Sequence, residues 1–223
     1  MKITDEVFQV GGSEFTSHED AAIYLINFDG HAALVDAGCG RSTERLFNNV
    51  QSCGVYVEYI EYLLITHCHY DHTGGAKDVK DTTGCQAVAH ELDAGFLEAG
   101  DDSVTAATWY GARLEPFVIE RKLSLPSEQV QLGNRYIEAI HTPGHSPGSV
   151  VYVTESHGLK VLFGQDVHGP LDESLLSNRE DYLKSLDLLL SLDADLLCEG
   201  HYGVYAGKDE VKKFIRSFVP NSL

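Results

Sequence analysis

The segment LLITHCHYDHTGG spans residues 63–75, and its apolar start leads directly into His67, His69, Asp71 and His72. Because alternate residues of an extended chain lie on one face, a strand that runs into a loop directs His67, His69 and Asp71 to the same side. Imidazoles and carboxylates at this density are ligands for zinc, iron or manganese rather than for calcium or magnesium. The segment therefore predicts a metal site.

His72 falls outside this alternation and joins the same side only where the chain turns. Thr73, Gly74 and Gly75 follow it and provide a turn. Cys68 lies between two candidate ligands, but the alternation directs it away from them, so we interpret it as a packing residue. The competing interpretation of the whole segment is a polar loop that is merely rich in histidine.

The chain has 223 residues and a hydrophobic fraction of 43%, which suits one large globular domain or two small ones. No linker, repeat or low-complexity tract divides it. We therefore expect a single domain over residues 1–223. Five widely spaced cysteines without a CxxC motif predict no disulfide framework.

The formal charge of -18 argues against binding to duplex nucleic acid or to an anionic membrane, because both require a basic surface. The amino-terminal residues contain no apolar signal segment, and no stretch approaches the ~20 apolar residues of a membrane span. These features predict a cytoplasmic protein whose partner is a small-molecule substrate, and they leave oligomerisation open.

Strand patterns open the chain and then alternate with helix patterns, which predicts an α/β fold. Ser42 and Asn178 stand where they can cap helices, and Asn134 can turn a hairpin. The predicted helices cover residues 42–53, 75–80, 178–192 and 211–218. The predicted strands cover residues 7–10, 21–28, 32–35, 62–65, 85–89, 118–120, 129–132, 136–141, 149–153, 159–163 and 196–197.

Residues 90–116 have a looser pattern, typical of a helical insertion or a flap. Trp109 and Tyr110 lie within it. An aromatic pair of this kind belongs either to the core or to the wall of a substrate entrance, and the sequence leaves both interpretations open.

Three later polar residues, His145, Asp166 and His201, each follow an apolar strand and lie beside a glycine that allows close approach to an ion. A lone histidine after a strand is usually an ordinary surface or core residue, but the recurrence strengthens the case for a shared site. Asp36 also ends a strand, and a turn or capping role is the simpler interpretation of that residue alone.

Taken together and in order, these residues resemble the motif set of the metallo-β-lactamase superfamily, and the resemblance spans most of the chain. It implies an αββα sandwich built from two βα halves, with the metal site at the edge between the two sheets. The resembling residues are Asp36, His67, His69, Asp71, His72, His145, Asp166 and His201.

The resemblance also implies a role for each residue. His67, His69 and His145 would hold a first metal, Asp71, His72 and His201 a second, and Asp166 would bridge the two. Asp36 matches the family's aspartate that orients ligands. Both ions would be divalent, with zinc preferred and iron or manganese as alternatives. His141 and His168 match no ligand position and are treated as bystanders.

Two metals ~3.5 to 4 Å apart can share a water, lower its pKa and polarise an acyl oxygen. No GxSxG elbow competes for the role of nucleophile. The resemblance thus predicts a dinuclear hydrolase that attacks a small acyl ester, thioester or lactone with a hydroxide shared by the metals. Asp71 is the candidate for relaying a proton to the leaving group.

The stretch HTPGHSPGS at residues 141–149 resembles glyoxalase II-like thioesterases and acyl-homoserine lactonases. Ser149 departs from the glyoxalase pattern, where a further histidine is usual. Few residues follow His201, so we expect the glutathione-binding helical region of glyoxalase II to be missing. Tyr202 joins Trp109 and Tyr110 as a candidate for the pocket wall.

Two alternatives use the same ligands. One is an iron-dependent persulfide dioxygenase, since two histidines and a carboxylate around iron form an oxygen-activating site. The other is a non-catalytic metal or redox module like that of flavodiiron proteins, although this chain lacks their flavin-binding domain.

Overall fold

The computed structural model describes residues 1–220, so the last three residues of the predicted domain lie outside the described part. Within it the chain forms two six-stranded sheets and six α-helices. The helices are α1 (Thr43–Ser52), α2 (Tyr70–Thr73), α3 (Ala76–Thr83), α4 (Glu91–Ala99), α5 (Arg179–Ser191) and α6 (Lys208–Arg216). Short 3₁₀ helices cover Val57–Tyr59, Ala107–Tyr110 and Glu173–Leu175.

The first sheet follows chain order. Its first three strands are antiparallel, and the third to sixth are parallel because helices connect them. The strands are β1 (Val7–Gly11), β2 (Ile23–Phe28), β3 (His31–Val35), β4 (Ile60–Leu64), β5 (Gln86–His90) and β6 (Arg121–Leu123).

The second sheet has the order β12-β11-β10-β9-β8-β7. Only β10 and β11 pair in parallel, across the crossover through α5, and the other neighbours are antiparallel. The strands are β7 (Ser127–Leu132), β8 (Arg135–His141), β9 (Val150–Ser156), β10 (Leu159–Gln165), β11 (Leu196–Glu199) and β12 (Val204–Ala206).

Three apolar clusters separate the layers. The central one lies between the sheets and joins residues such as Leu64 and Val88 to Tyr152 and Phe163. A second cluster packs α1, α3 and α4 on the outer face of the first sheet, and a third packs α5 and α6 on the outer face of the second. The predicted αββα sandwich is confirmed. No helix among residues 1–220 is both long and apolar enough to cross a bilayer.

The strands β8, β10 and β11 run in one direction, so their carboxyl ends share an edge of the second sheet. The carboxyl ends of β3 and β4 meet the same edge from the first sheet. Hydrogen bonds connect the two sheets there: Val150 N donates to Thr66 O at 2.7 Å, and Tyr152 Oη donates to Ile65 O at 2.9 Å. This edge collects the polar residues that follow the strands.

Several sequence predictions need correction. The strand predicted at residues 118–120 is wrong, since pairing with β5 begins only at Arg121. Glu120 instead turns its carboxylate to Ala87 N, which donates to it at 2.8 Å. Strand β12 was not predicted. Ser42 occupies the position before α1 but makes no capping hydrogen bond with its side chain.

Asn178 does cap α5 as predicted, since its Oδ1 accepts from Glu180 N at 2.9 Å and from Asp181 N at 3.1 Å. Replacement by alanine leaves those two donors without a protein partner, so Asn178→Ala should lower the free energy of unfolding by about 1 kcal/mol. Denaturant titration measures this change. Ser42→Ala is the matched control and should leave the free energy of unfolding nearly unchanged. Equal losses in the two variants would contradict the assignment.

Candidate metal centre

Asp36 follows β3 directly, in the left-handed region of backbone space with φ of 63°. Its Oδ1 accepts from Thr66 N at 2.9 Å. Its Oδ2 accepts from Thr66 Oγ1 at 2.8 Å and from His72 Nδ1 at 2.7 Å. The buried carboxylate therefore ties the end of β3 to the loop after β4 and to α2.

The bond to Asp36 decides the tautomer of His72, because a carboxylate only accepts and Nδ1 must donate. In the neutral ring Nε2 then carries a lone pair. That atom lies 3.1 Å from Asp166 Oδ1. Two acceptors this close repel one another unless a proton or a metal ion lies between them.

Two more histidines are oriented in the same way. The Thr66 hydroxyl gives its proton to Asp36, so at 3.1 Å from His67 Nδ1 it accepts that ring's N–H. His145 Nδ1 donates to Pro170 O at 3.0 Å. Both bonds leave Nε2 of the ring with its lone pair free, which is the form that binds a metal.

The ligand atoms converge at the shared edge of the sheets. In three sets of residues, all ligand atoms lie within 4.8 Å of one another, close enough to hold a metal ion. The sets are His67, His69 and His145; His67, His72 and Asp166; and Asp71, His72 and His201. Every residue that the sequence predicted as a metal ligand belongs to at least one of these sets.

The cluster also concentrates unpartnered polar atoms. Among residues 1–220, eight buried side-chain N or O atoms lack a hydrogen-bond partner, and five of them belong to this cluster. A buried polar atom without a partner lowers the free energy of unfolding by about 1 to 3 kcal/mol. Divalent cations accept electron pairs from imidazole nitrogens and carboxylate oxygens, so the donor set fits metal binding. The five atoms are Nε2 of His67, His69, His72 and His145, and Oδ1 of Asp166.

Helix α2 explains how His72 reaches the site. The chain turns at His69, which precedes the helix, so a helical turn rather than strand alternation places Asp71 and His72. Gly200 makes room on the opposite side. A Cβ on Gly200 would lie 2.2 Å from Asp166 Oδ1, so only glycine permits this approach.

The histidines fall into two electrostatic classes. Burial lowers the pKa of His67 well below its ordinary value and lowers the pKa of His69 to about 3. Burial also opposes the charged forms of His72 and His201, but nearby carboxylates, above all Asp166, outweigh it. The pKa of His72 is therefore raised well above its ordinary value, and that of His201 to about 10.

Two cavities adjoin the cluster and share His201 as a wall. The smaller, about 150 Å³, opens onto His69, Asp71, His145 and Asp166. The larger, about 480 Å³, meets the cluster only through His201. The candidate ligands therefore face mainly the smaller cavity, and the larger one lies beside it.

The predicted pocket residues line these cavities. Trp109 and Tyr110 form part of the smaller cavity, and Tyr202 part of the larger. Trp109 is 57% exposed, so its interpretation as a core residue is wrong. It lies in the 3₁₀ helix Ala107–Tyr110, within the insertion between β5 and β6.

Sequence reasoning missed a role for His168. The residue lines the smaller cavity, and its Nδ1 lies 2.8 Å from an oxygen of Glu199, which is fully buried. Glu199 also accepts from the backbone N–H groups of His201 and Tyr202. The signal available in the sequence was Glu199, an acidic residue directly before Gly200 and His201. His141 stacks on His90 instead and lines neither cavity.

Asp93 is a second missed residue. It is buried on α4, and it hydrogen-bonds to the loops on either side of the cluster. Nothing in the local pattern of α4 distinguishes it from an acidic residue in the first turn of any helix.

Comparison with curated proteins finds several hydrolases among the similar proteins. The chain is 25% identical over 230 residues to the acyl-coenzyme A thioesterase MBLAC2 of Gallus gallus, covering 91% of this chain and 79% of the relative. It is 29% identical over 139 residues to the hydroxyacylglutathione hydrolase GloC of Haemophilus influenzae. That match covers 61% of each protein, so the chain spans less than two thirds of the bacterial relative.

Comparison with solved structures gives the same fold. A mutant metallo-β-lactamase from Cronobacter sakazakii superposes with a TM-score of 0.81 over 98% of this chain and 92% of the other, at 21% identity. At this low sequence identity, the likeness concerns the fold alone. The sequence model of the metallo-β-lactamase superfamily matches residues 19–201, from just before β2 to the last histidine of the cluster. With most of its length and its whole histidine–aspartate cluster inside that match, the chain belongs to the metallo-β-lactamase superfamily.

Proposed function

We propose that the protein is a dinuclear metal-dependent hydrolase that cleaves a small acyl thioester, ester or lactone. The observation that carries the proposal is the convergence of five unpartnered buried ligand atoms at one sheet edge. In this proposal His67, His69 and His145 would hold one ion, and Asp71, His72 and His201 would hold the other. The carboxylate of Asp166, which lies within 3.4 Å of His72, His145 and His201, would be available to both.

When bound, such a metal pair activates a water molecule and polarises the substrate carbonyl. The chain supplies the orientation: Asp36, Thr66 and the carbonyl of Pro170 keep the Nε2 lone pairs of three histidines directed inward. Asp71 lines the smaller cavity, and its Oδ2 lies 3.1 Å from His201 Nε2. We assign to its carboxylate the relay of a proton, which it takes from the attacking water and gives to the leaving group.

The cavities support a substrate with a compact acyl part. The smaller cavity has a volume of about 150 Å³, and Trp109 and Tyr110 form part of its wall. The larger cavity beyond His201 gives room for a leaving group. Both named relatives cleave thioesters, and we extend that chemical class to this chain as part of the proposal.

The decisive experiment loads metal-free protein with zinc and measures metal per chain. The same protein is then tested on thioesters, lactones and phosphodiesters. We expect two ions per chain and hydrolysis confined to the acyl substrates. Fewer than about one bound ion would contradict the two-metal mechanism. Oxygen uptake by iron-loaded protein with glutathione persulfide, in place of hydrolysis, would favour a dioxygenase.

A second prediction concerns Asp36. Asp36→Asn keeps the shape and tolerates the left-handed backbone, but it sets an amide N–H₂ against donors from Thr66 or His72. Loss of this orientation should weaken zinc binding about 10- to 100-fold, measured by competition with a chromophoric chelator. Thr66→Val removes the hydroxyl that orients His67 and its bond to Asp36, but it leaves the bonds of Asp36 to Thr66 N and His72, so it should weaken binding less. Equal affinity of Asp36→Asn and the wild type would contradict the orienting role.

A third prediction concerns substrate charge. Among the residues of the described chain that line the two cavities, none is Lys or Arg, whereas Glu14 lines the larger one. We expect this carboxylate and the formal net charge of -18 to disfavour an anionic leaving group in the larger cavity. An acyl thioester of N-acetylcysteamine should therefore have a kcat/KM at least about tenfold above that of the coenzyme A thioester of the same acid at low salt.

Added salt should narrow this gap, and so should Glu14→Gln, which removes the carboxylate without changing the size of the side chain. Steady-state kinetics on matched acyl groups measures both effects. A preference for the coenzyme A thioester that persists at low salt would contradict the electrostatic argument.

A further inference from the structure

The carboxylate of Asp93 is one of the most buried charges of the described chain, with the residue only 1% exposed. It lies in the first turn of α4 and is not among the ligand atoms that converge at the sheet edge. No ion pair among residues 1–220 includes it, so no cation offsets its burial, and burial raises its pKa. Such a group is costly unless hydrogen bonds satisfy it.

Three hydrogen bonds do satisfy Asp93, and they come from two separate loops. Cys68 N donates to its Oδ2 at 2.9 Å. Ser146 Oγ donates to Oδ2 at 2.6 Å, and Gly148 N donates to Oδ1 at 2.7 Å. All three partners are donors, which matches an ionised carboxylate.

Two of these donors are neighbours of candidate metal ligands in the sequence. Cys68 stands between His67 and His69, and Ser146 follows His145 directly. The carboxylate of Asp93 therefore connects the loop that carries two histidines of the first set to the loop that carries the third. It touches neither Asp71 nor His201 through these bonds.

The loop that carries Ser146 and Gly148 approaches Asp93 closely. A Cβ on Gly148 would lie 2.6 Å from Asp93 N and 2.7 Å from its Cγ, so this position accepts glycine alone without displacing α4. Ser146 Oγ also lies 2.9 Å from Ser149 Oγ, which holds the hydroxyl in place beside the carboxylate. These contacts give structural roles to Ser146, Gly148 and Ser149, none of which belongs to a set of candidate metal ligands.

We propose that Asp93 is a positioning residue that sets the distance of His145 from His67 and His69 and thereby the affinity of that set for its metal ion. The inference rests on the proposed two-metal site and adds that the two ions depend on different parts of the chain. The set of His67, His69 and His145 depends on Asp93, whereas the set of Asp71, His72 and His201 does not.

The test measures zinc affinity of each set separately, by chelator competition. His201→Ala removes a residue of the second set and leaves a background that reports the first, while His145→Ala leaves a background that reports the second. Asp93→Asn should weaken zinc binding at least about tenfold in the His201→Ala background and by less than about twofold in the His145→Ala background. Equal loss in both backgrounds, or no loss in either, overturns the proposal.

Asp195→Asn is the matched control. Its Oδ2 accepts one backbone hydrogen bond, from Lys160 N at 2.8 Å, at the opposite end of β10 from the cluster. This variant should bind zinc normally in both backgrounds. Denaturant titration of metal-free protein verifies that each variant is folded.

If Asp93→Asn does not fold, Ser146→Ala serves as the milder variant, because it removes one of the three bonds to Asp93 and leaves the carboxylate satisfied by two. It should produce a smaller loss with the same selectivity, and an unselective effect overturns the proposal. The readout is binding rather than turnover. A wild-type chain that binds two zinc ions but cleaves no acyl substrate therefore contradicts the proposed function while leaving the Asp93 proposal open to this test.

Discussion

Asp36 accepts hydrogen bonds from Thr66 N, Thr66 Oγ1 and His72 Nδ1, and the geometry of the cluster depends on those three bonds. They connect the end of β3 to the loop after β4 and to α2. The backbone at this position is left-handed, which aspartate tolerates better than most residues. Because a carboxylate has two oxygens and no donor, it also accepts all three bonds. Backbone conformation and hydrogen bonding thus require the same residue.

Hydrogen bonds between the two sheets also hold the cluster in place. The amide of Val150 and the hydroxyl of Tyr152 donate to carbonyls just after β4, and Ala22 N donates to Gly200 O at 2.7 Å. These bonds cross between the sheets at the edge where the polar residues gather. Residues far apart in sequence therefore reach one another through sheet packing rather than through a continuous motif.

Much of this arrangement was predictable from sequence. The dense segment at residues 63–75 and the polar residues after later strands carry signals that are local and chemically unusual. The cap at Asn178 is equally local, because it needs only the next three residues. Strand β12 gave no such signal, since it is three residues long and poorly buried.

Other features depend on contacts between distant segments, which a single sequence does not reveal. Asp93 looks like any acidic residue at the start of a helix, and its role appears only when two loops fold against it. The wrong strand at residues 118–120 has a similar cause. Its apolar residues suited a strand, but Glu120 bonds across to Ala87, and regular pairing starts one residue later.

Each set of converging ligand atoms draws residues from both sheets. His67 and His69 follow β4 of the first sheet, whereas His145 follows β8 of the second, and the set of Asp71, His72 and His201 is divided in the same way. An ion held by either set would act as a cross-link between the two layers, much as a disulfide joins distant segments. Resistance to unfolding would then rise with the concentration of free metal, because only the closed sandwich offers the complete set of ligands.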